Sequence, residues 1–333
     1  MDEAPSLWSL YDADFSSTSN TMEPLFVLLM SVIKTFGGNL QTLFFGTALF
    51  NTYAIVKFIK HCRANLLLCL AIYFCWLYLP VQMGVVRQSI ALSFLMLSLI
   101  EYDKKHAINA IALFTTGLFF QFSLILFAPI FFPRVTIFLL NRKQTFIFAM
   151  IVLYLSNFSL FEGLNFFASL VNNELISQKL SYYYNTGPAA KSEASIIYFF
   201  LCIFILFYFS WNKAQYTRLE LALFSSLFLM TILQATFWEF PLVWNRAQYF
   251  TVIAQSVLLS WNITKQKLNQ RIVVLILVFL FSMSVLLKIL FGESSIIFLP
   301  YQSYFSNLIT DSVEDGRTRT EDFYKKFEDL SNK

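Results

Sequence analysis

The sequence predicts an all-α, polytopic membrane protein of about ten transmembrane helices with a short interfacial helix ahead of them. Three observations lead there. Hydrophobic residues make up 57% of the chain and charged residues 13%, against about 25% charged in soluble domains. The apolar residues gather into runs on the scale of a bilayer crossing, which takes about 20 residues. The short loops between the runs alternate in basic character, the pattern of a chain threaded repeatedly through a membrane.

The N-terminal segment comes first. Residues 1–33 hold Asp2, Glu3, Asp12, Asp14 and Glu23 but no Lys or Arg, so the segment is easier to export than to retain. Without a basic leading stretch it does not read as a signal peptide. Residues 23–36 are apolar but short, and end at Gly37-Gly38. They predict an interfacial or re-entrant helix on the outer face.

Crossings are expected at 40–56, 65–82, 84–100, 107–120, 122–140, 144–161, 194–211, 219–238, 244–262 and 272–291. Lys60 and Arg63, Lys104 and Lys105, Arg142 and Lys143, Lys213 and Arg218, and Lys265, Lys267 and Arg271 then share one side. The positive-inside rule makes that side cytoplasmic. The stretch 107–140 contains Pro129, Pro133 and Arg134 and could be one long helix or two short ones. Two crossings keep all five basic loops together, and two are expected. The resulting division is an outer segment 1–39, a helical domain 40–292 with an outer loop at 162–193, and a tail 293–333.

Two segments read as soluble. The loop 162–193 carries Asn172, Asn173, Glu174, Tyr182-Tyr183-Tyr184 and Gly187-Pro188, suited to sugar rings or to an interfacial aromatic anchor. In the tail, Phe323, Phe327 and Leu330 share a helical face.

The polar residues that matter lie on the outer side. From Leu66 to Ile100 the only charged side chain is Arg87. Facing lipid at mid-bilayer it would cost roughly 2.5–3.5 kcal/mol. A hairpin bend near Gln82-Met83-Gly84 puts it just inside the next helix, facing protein or water as a binding group, or else snorkelling at the boundary. Gln88 follows it. Gln121 and Ser123 occupy the next outer turn. Glu239 and Arg246 flank a third outer turn, broken by Pro241. They close that turn as an ion pair, or Arg246 joins Arg87 in gathering a phosphate-bearing lipid while a carboxylate moves a proton. When a sugar leaves a lipid pyrophosphate, charge builds on phosphate, and guanidinium groups in a poorly hydrated site can stabilise it.

Other chemistries find little support. Cys62, Cys69, Cys75 and Cys202 form no C-x-x-C pair and suit apolar filler positions. The two histidines, His61 and His106, sit in short polar loops, and no zinc motif, phosphate loop or nucleophile elbow occurs. No metal, cofactor or nucleic acid is expected.

Gly84-Val85-Val86-Arg87-Gln88-Ser89-Ile90-Ala91 resembles the "vRqxiA" signature of the EpsG/Wzy-type membrane polysaccharide polymerases. Glu23-Pro24-Leu25-Phe26 with Gly38-Asn39-Leu40-Gln41 resembles that family's "EPxf…q" segment. Asn245-Arg246-Ala247-Gln248-Tyr249-Phe250 resembles its later "R…Y" helix, and Leu299-Pro300-Tyr301 its closing "PY". There are two departures. Gln121 stands where the family usually has a His in an "fHxS" turn, with Ser123 retained. The family's opening helix and "GtD…Y" element are unmatched, Tyr11-Asp12-Ala13-Asp14 resembling the remnant after it.

The resemblance implies an O-antigen-like polysaccharide polymerase in the bacterial inner membrane. It would move a growing glycan from undecaprenyl-pyrophosphate to the next lipid-linked repeat unit, alongside a chain-length-regulating membrane protein. Arg87, Arg246 and Glu239 become its catalytic candidates. Gln88, Gln121, Ser123, Tyr249, Tyr301 and Glu23 become its substrate contacts. The main rival is a lipid-linked oligosaccharide flippase, which should show two related bundles; the sequence has no internal repeat. An O-acetylating acyltransferase and a non-enzymatic scaffold are weaker rivals.

Overall fold

The computed structural model describes residues 23–156, 191, 193–208 and 216–292. Among these the chain is helical throughout, with no strand. Helix α1 is Pro24–Thr35, its proline supplying a preset φ in the first turn. Helix α2, Leu40–His61, opens on a reciprocal cap in which Asn39 and Thr42 bond each other's backbone. Helix α3, Leu66–Tyr73, continues into wider π-type turns over Phe74–Met83 that accommodate Pro80. Gly84 ends them, where any Cβ would collide with the Pro80 carbonyl oxygen. This is the hairpin bend expected ahead of Arg87, and helix α4 follows over Val86–Asp103.

The stretch 107–140 resolves into three pieces: helix α5 over Ala107–Phe120, a 3₁₀ segment over Phe122–Phe131, and helix α6 over Pro133–Asn141. A 64° bend separates the last two, at the Phe132-Pro133 break. Pro133 forces it, because proline disfavours helical geometry in the residue before it. Helices α7 (Lys143–Leu155), α8 (Glu193–Tyr208), α9 (Arg218–Thr236), α10 (Pro241–Lys265) and α11 (Leu268–Phe291) complete the order.

Each expected apolar segment therefore coincides with a helix or a broken helix. Crossing the membrane is a stricter matter. Among the described residues three helices, α2, α9 and α11, are long and apolar enough to span by length and composition, or four if the bent pair counts as one span. The count of about ten is not reached by that measure. The remaining helices are short, or, like α4 and α10, carry charged and amide groups along an apolar run.

Helix α9 is the axis of the bundle, with 83% of its apolar window buried. It carries small and polar residues such as Ser225, Ser226, Thr231 and Gln234, which suit close helix contact inside a membrane bundle. Helix α11 is the opposite case, with only 6% of its apolar window buried and rich in Leu, Ile, Val and Phe; Val278, Phe281 and Val285 pack on the core, and Trp76 ties the helix on by donating from Nε1 to Ser282 Oγ at 2.9 Å. One large core joins α2 to α4, the 3₁₀ segment, Leu140 of α6, and α7 to α10. Helix α1 stands apart from it, on a small separate cluster of Phe26, Val27, Met30, Leu43 and Ile90.

Contacts link the basic loops at one end. Trp261 Nε1 donates to Cys62 O at 2.9 Å, and His61 meets Asp103 at 3.0 Å. Asp103 also accepts from Leu219 N at 3.3 Å. Gln266 donates to the Tyr208 hydroxyl at 2.9 Å, and Lys143 Nζ to Phe207 O at 3.3 Å. The segment from His106 to Lys143 thus leaves this end and returns to it, but the stretch expected as one crossing over 122–140 is broken, α6 being turned 64° from the 3₁₀ segment. The outer loop 162–193, apart from Lys191 and the start of α8, and the tail 293–333 lie outside the described residues.

Candidate functional site

Arg87 emerges in the first turn of α4, at the end of the bundle opposite the basic loops. Its Nη1 donates to Glu23 Oε2 at 2.6 Å, an ion pair whose carboxylate is nearly buried and whose guanidinium is about one-third exposed (35%). The guanidinium is thus held by a carboxylate of the protein itself. The Phe26 ring lies under the same guanidinium at 5.9 Å. Beside it, buried Gln88 donates from Nε2 to the backbone oxygen of Arg246 at 3.2 Å. That single bond ties the two cation-bearing helix starts, α4 and α10, together.

Arg87 is held from below by a polar bridge inside the bundle. Asn51 Nδ2 donates to Ser89 Oγ at 2.9 Å, and Asn51 Oδ1 accepts from Ser93 Oγ at 2.7 Å. All three are buried. One amide thus grips two successive turns of α4, and in an apolar interior such a bond costs little competition from water.

Gln121 belongs to the same level. Gly117 lets α5 close on α4, since a Cβ there would meet Phe94 Cβ at 3.1 Å and Ala91 O at 3.2 Å. Ala91 is one turn below Arg87 and Gly117 one turn below Gln121. Gln121 is buried in extended backbone that ends α5. Ser123 follows in the 3₁₀ segment, and its Oγ is buried with no hydrogen-bond partner among the described residues, as is Trp244 Nε1 at the start of α10. Tyr249 lies half-buried on α10. Tyr301 lies outside the described residues.

Glu239 departs from the ion-pair expectation. Pro241 does begin α10, so the helix break falls where the sequence put it. Yet no ion pair joins Glu239 to Arg246 among the described residues. The charge Glu239 influences is Lys191, whose ammonium lies 4.4 Å from the Tyr154 ring centroid and 4.5 Å from that of Trp238. Lys191 Nζ also donates to Tyr154 O. Burial pulls the Lys191 pKa down, and the Glu239 carboxylate opposes that shift. Nearby, Gln234 Nε2 donates to Ser195 O at 2.6 Å and to Ser195 Oγ at 3.0 Å.

Sequence reasoning missed Lys191. Its only signal was a single cation directly before an apolar helix, easily lost beside the tyrosine cluster upstream. It also assigned Glu23 to substrate without seeing that this carboxylate is the counter-ion of Arg87. Both histidines turn out to be structural, His61 on Asp103 and His106 on Glu101 at 2.8 Å. Among the described residues no group of His, Cys, Asp and Glu could hold a metal ion.

No curated protein and no solved structure matches the chain. The EpsG family model matches residues 6–303, a span that includes Glu23, Arg87, Gln121, Glu239 and Arg246. Membership places the chain among membrane proteins of polysaccharide biosynthesis. With most of its length inside that match, the chain belongs to the EpsG family.

Proposed function

We propose that this protein polymerises an O-antigen-like surface polysaccharide at the outer face of the bacterial inner membrane. Its donor is a growing glycan on undecaprenyl-pyrophosphate, and its acceptor the non-reducing sugar of the next lipid-linked repeat unit. The acceptor hydroxyl attacks the anomeric carbon, the bond from that carbon to the pyrophosphate oxygen breaks, and its electron pair stays on the phosphate. The hydroxyl proton goes to a carboxylate.

The observation that carries this reading is the junction of α4 and α10 through Gln88, which holds two guanidinium-bearing helix starts at one end of the bundle. Arginine offers a planar fork of donors to phosphate oxygens. Charge that develops on the leaving pyrophosphate is the kind of charge that fixed donors stabilise best. Glu23, already oriented by Arg87, is the carboxylate paired with that guanidinium and the first choice for proton acceptor. Gln121 can donate a hydrogen bond to a sugar or phosphate oxygen but cannot act as a base.

Deleting the gene and separating the surface glycan on a gel tests the function. A core bearing one repeat unit is the expected result. A core bearing no unit would instead mark the protein as a flippase, and an unchanged ladder would remove it from polymer synthesis.

A further inference from the structure

Helix α6 is short, and both of its flanks are tethered at the basic end. Just before it, Phe131 O accepts from the Tyr102 hydroxyl at 3.1 Å. Just after it, Lys143 Nζ donates to Phe207 O at 3.3 Å. A helix that starts and finishes at the same end, turned 64° from the segment leading into it, runs along that end and not through the bundle. Its length is about 13 Å at 1.5 Å per residue.

Its two faces differ. Thr136 and Leu140 are buried against the bundle. The opposite stripe is Arg134 and Phe138, four residues apart on one face, continued by Arg142 just past the end of the helix. Phe138 is 55% exposed, with Val135 at 52% and Ile137 at 39% beside it. The Arg142 guanidinium stands 5.1 Å from the Phe138 ring centroid. No ion pair among the described residues reaches Arg134 or Arg142. The sequence supplies no acid between Lys104 and Phe161.

An exposed apolar strip in water would be costly, and two cations deep in hydrocarbon more so. Both are satisfied at one depth only, where rings and methyl groups reach acyl chains and guanidinium groups reach headgroups. We propose that α6 lies in the headgroup layer of the bilayer and that Arg134 and Arg142 bind the phosphates of anionic phospholipids. Phe138 inserts between them as the apolar anchor. The surface recognises lipid at the end opposite Arg87 and is independent of the polymerase reading.

The test uses the full chain with Phe138→Cys, its native cysteines replaced by Ala, labelled with a polarity-sensitive fluorophore. It is reconstituted into phosphatidylcholine vesicles containing a minor fraction of brominated phosphatidylglycerol or of brominated phosphatidylcholine. Quenching by the anionic lipid should exceed that by the neutral one at least about threefold, and should weaken with salt. Arg134→Gln with Arg142→Gln should bring the two lipids to parity. Equal quenching by both lipids with the arginines intact would overturn headgroup recognition. Quenching by neither, with full access to aqueous iodide, would give the face to water or to another protein. The comparison of lipids on the arginine-containing chain decides the matter even if the double variant does not fold.

Discussion

Arg87 and Glu23 are 64 residues apart in sequence and 2.6 Å apart in space, the carboxylate arriving on α1 and the guanidinium on α4. Each answers the other's problem. Glu23 is nearly buried and would be costly as a lone anion. Arg87 is the one charge in a long apolar run, and the pair fixes the direction in which its remaining donors point.

Arg87→Ala should abolish chain elongation and lower protein abundance somewhat, because it leaves the nearly buried Glu23 without its counter-ion. Arg87→Lys should restore only a small part of the activity, since a point charge replaces a planar fork. Chain-length gels normalised to protein level check both. Full-length polymer from Arg87→Ala at normal abundance would remove the residue from the site.

Glu23→Gln keeps the shape of the α1 contact and removes the charge. If Glu23 accepts the proton, elongation should fall about 100-fold or more with abundance little changed. A loss of only a fewfold, tracking abundance, would reduce it to a counter-ion.

Glu239 and Lys191 should behave as a coupled pair. In a double-mutant cycle of Glu239→Gln and Lys191→Met, read from thermal unfolding in detergent, the combined loss should be smaller than the sum by about 0.5–1 kcal/mol. The cycle of Glu239→Gln with Arg246→Gln should be additive within about 0.5 kcal/mol. Coupling in the second cycle and none in the first would restore the ion pair across the Pro241 turn.

Asn51→Leu should loosen α4 without leaving its serines stranded. Ser89 already donates to Val86 O at 2.7 Å, and Ser93 to Ser89 O at 3.1 Å. The expected loss is therefore modest, about 0.5–1.5 kcal/mol. Asn51→Asp should be worse, because it sets an unpaired carboxylate among apolar helices. Denaturant or thermal unfolding of the purified protein ranks the two.

Orientation can be checked at exposed positions. With the native cysteines replaced, Phe36→Cys should react with a membrane-impermeant thiol reagent in intact cells and Lys267→Cys only after lysis. The reverse order would put the basic loops outside and the Arg87 end inside.

Helix placement was legible where an apolar run is bounded by a residue with a plain backbone reason, as with Pro241 starting α10 and Gly84 admitting the Pro80 carbonyl. The bend near Arg87 was legible for the same reason. The partner of Arg87 was nearly so, since Glu23 is the only ionisable residue immediately ahead of α1. What could not be read was anything that depends on which helices are neighbours. Glu239 looked paired to Arg246 because both flank one turn, but Lys191, 48 positions upstream in sequence, approaches from another direction. The wide turns at Phe74–Met83 and the 3₁₀ winding at Phe122–Phe131 were also hidden, since composition there suits an α-helix equally well.

The separate cluster beneath α1 has a consequence for how the site can open. Phe26, Val27 and Met30 rest on Leu43 and Ile90 and contribute nothing to the large core. Detaching α1 would expose this satellite alone, so its local unfolding free energy lies well below that of the bundle. The element most easily released is the one that carries the carboxylate facing Arg87. Amide exchange along α1 should accordingly be faster than along α4 or α9, and a bulky lipid headgroup could reach the guanidinium by lifting one short helix, with the rest of the fold standing still.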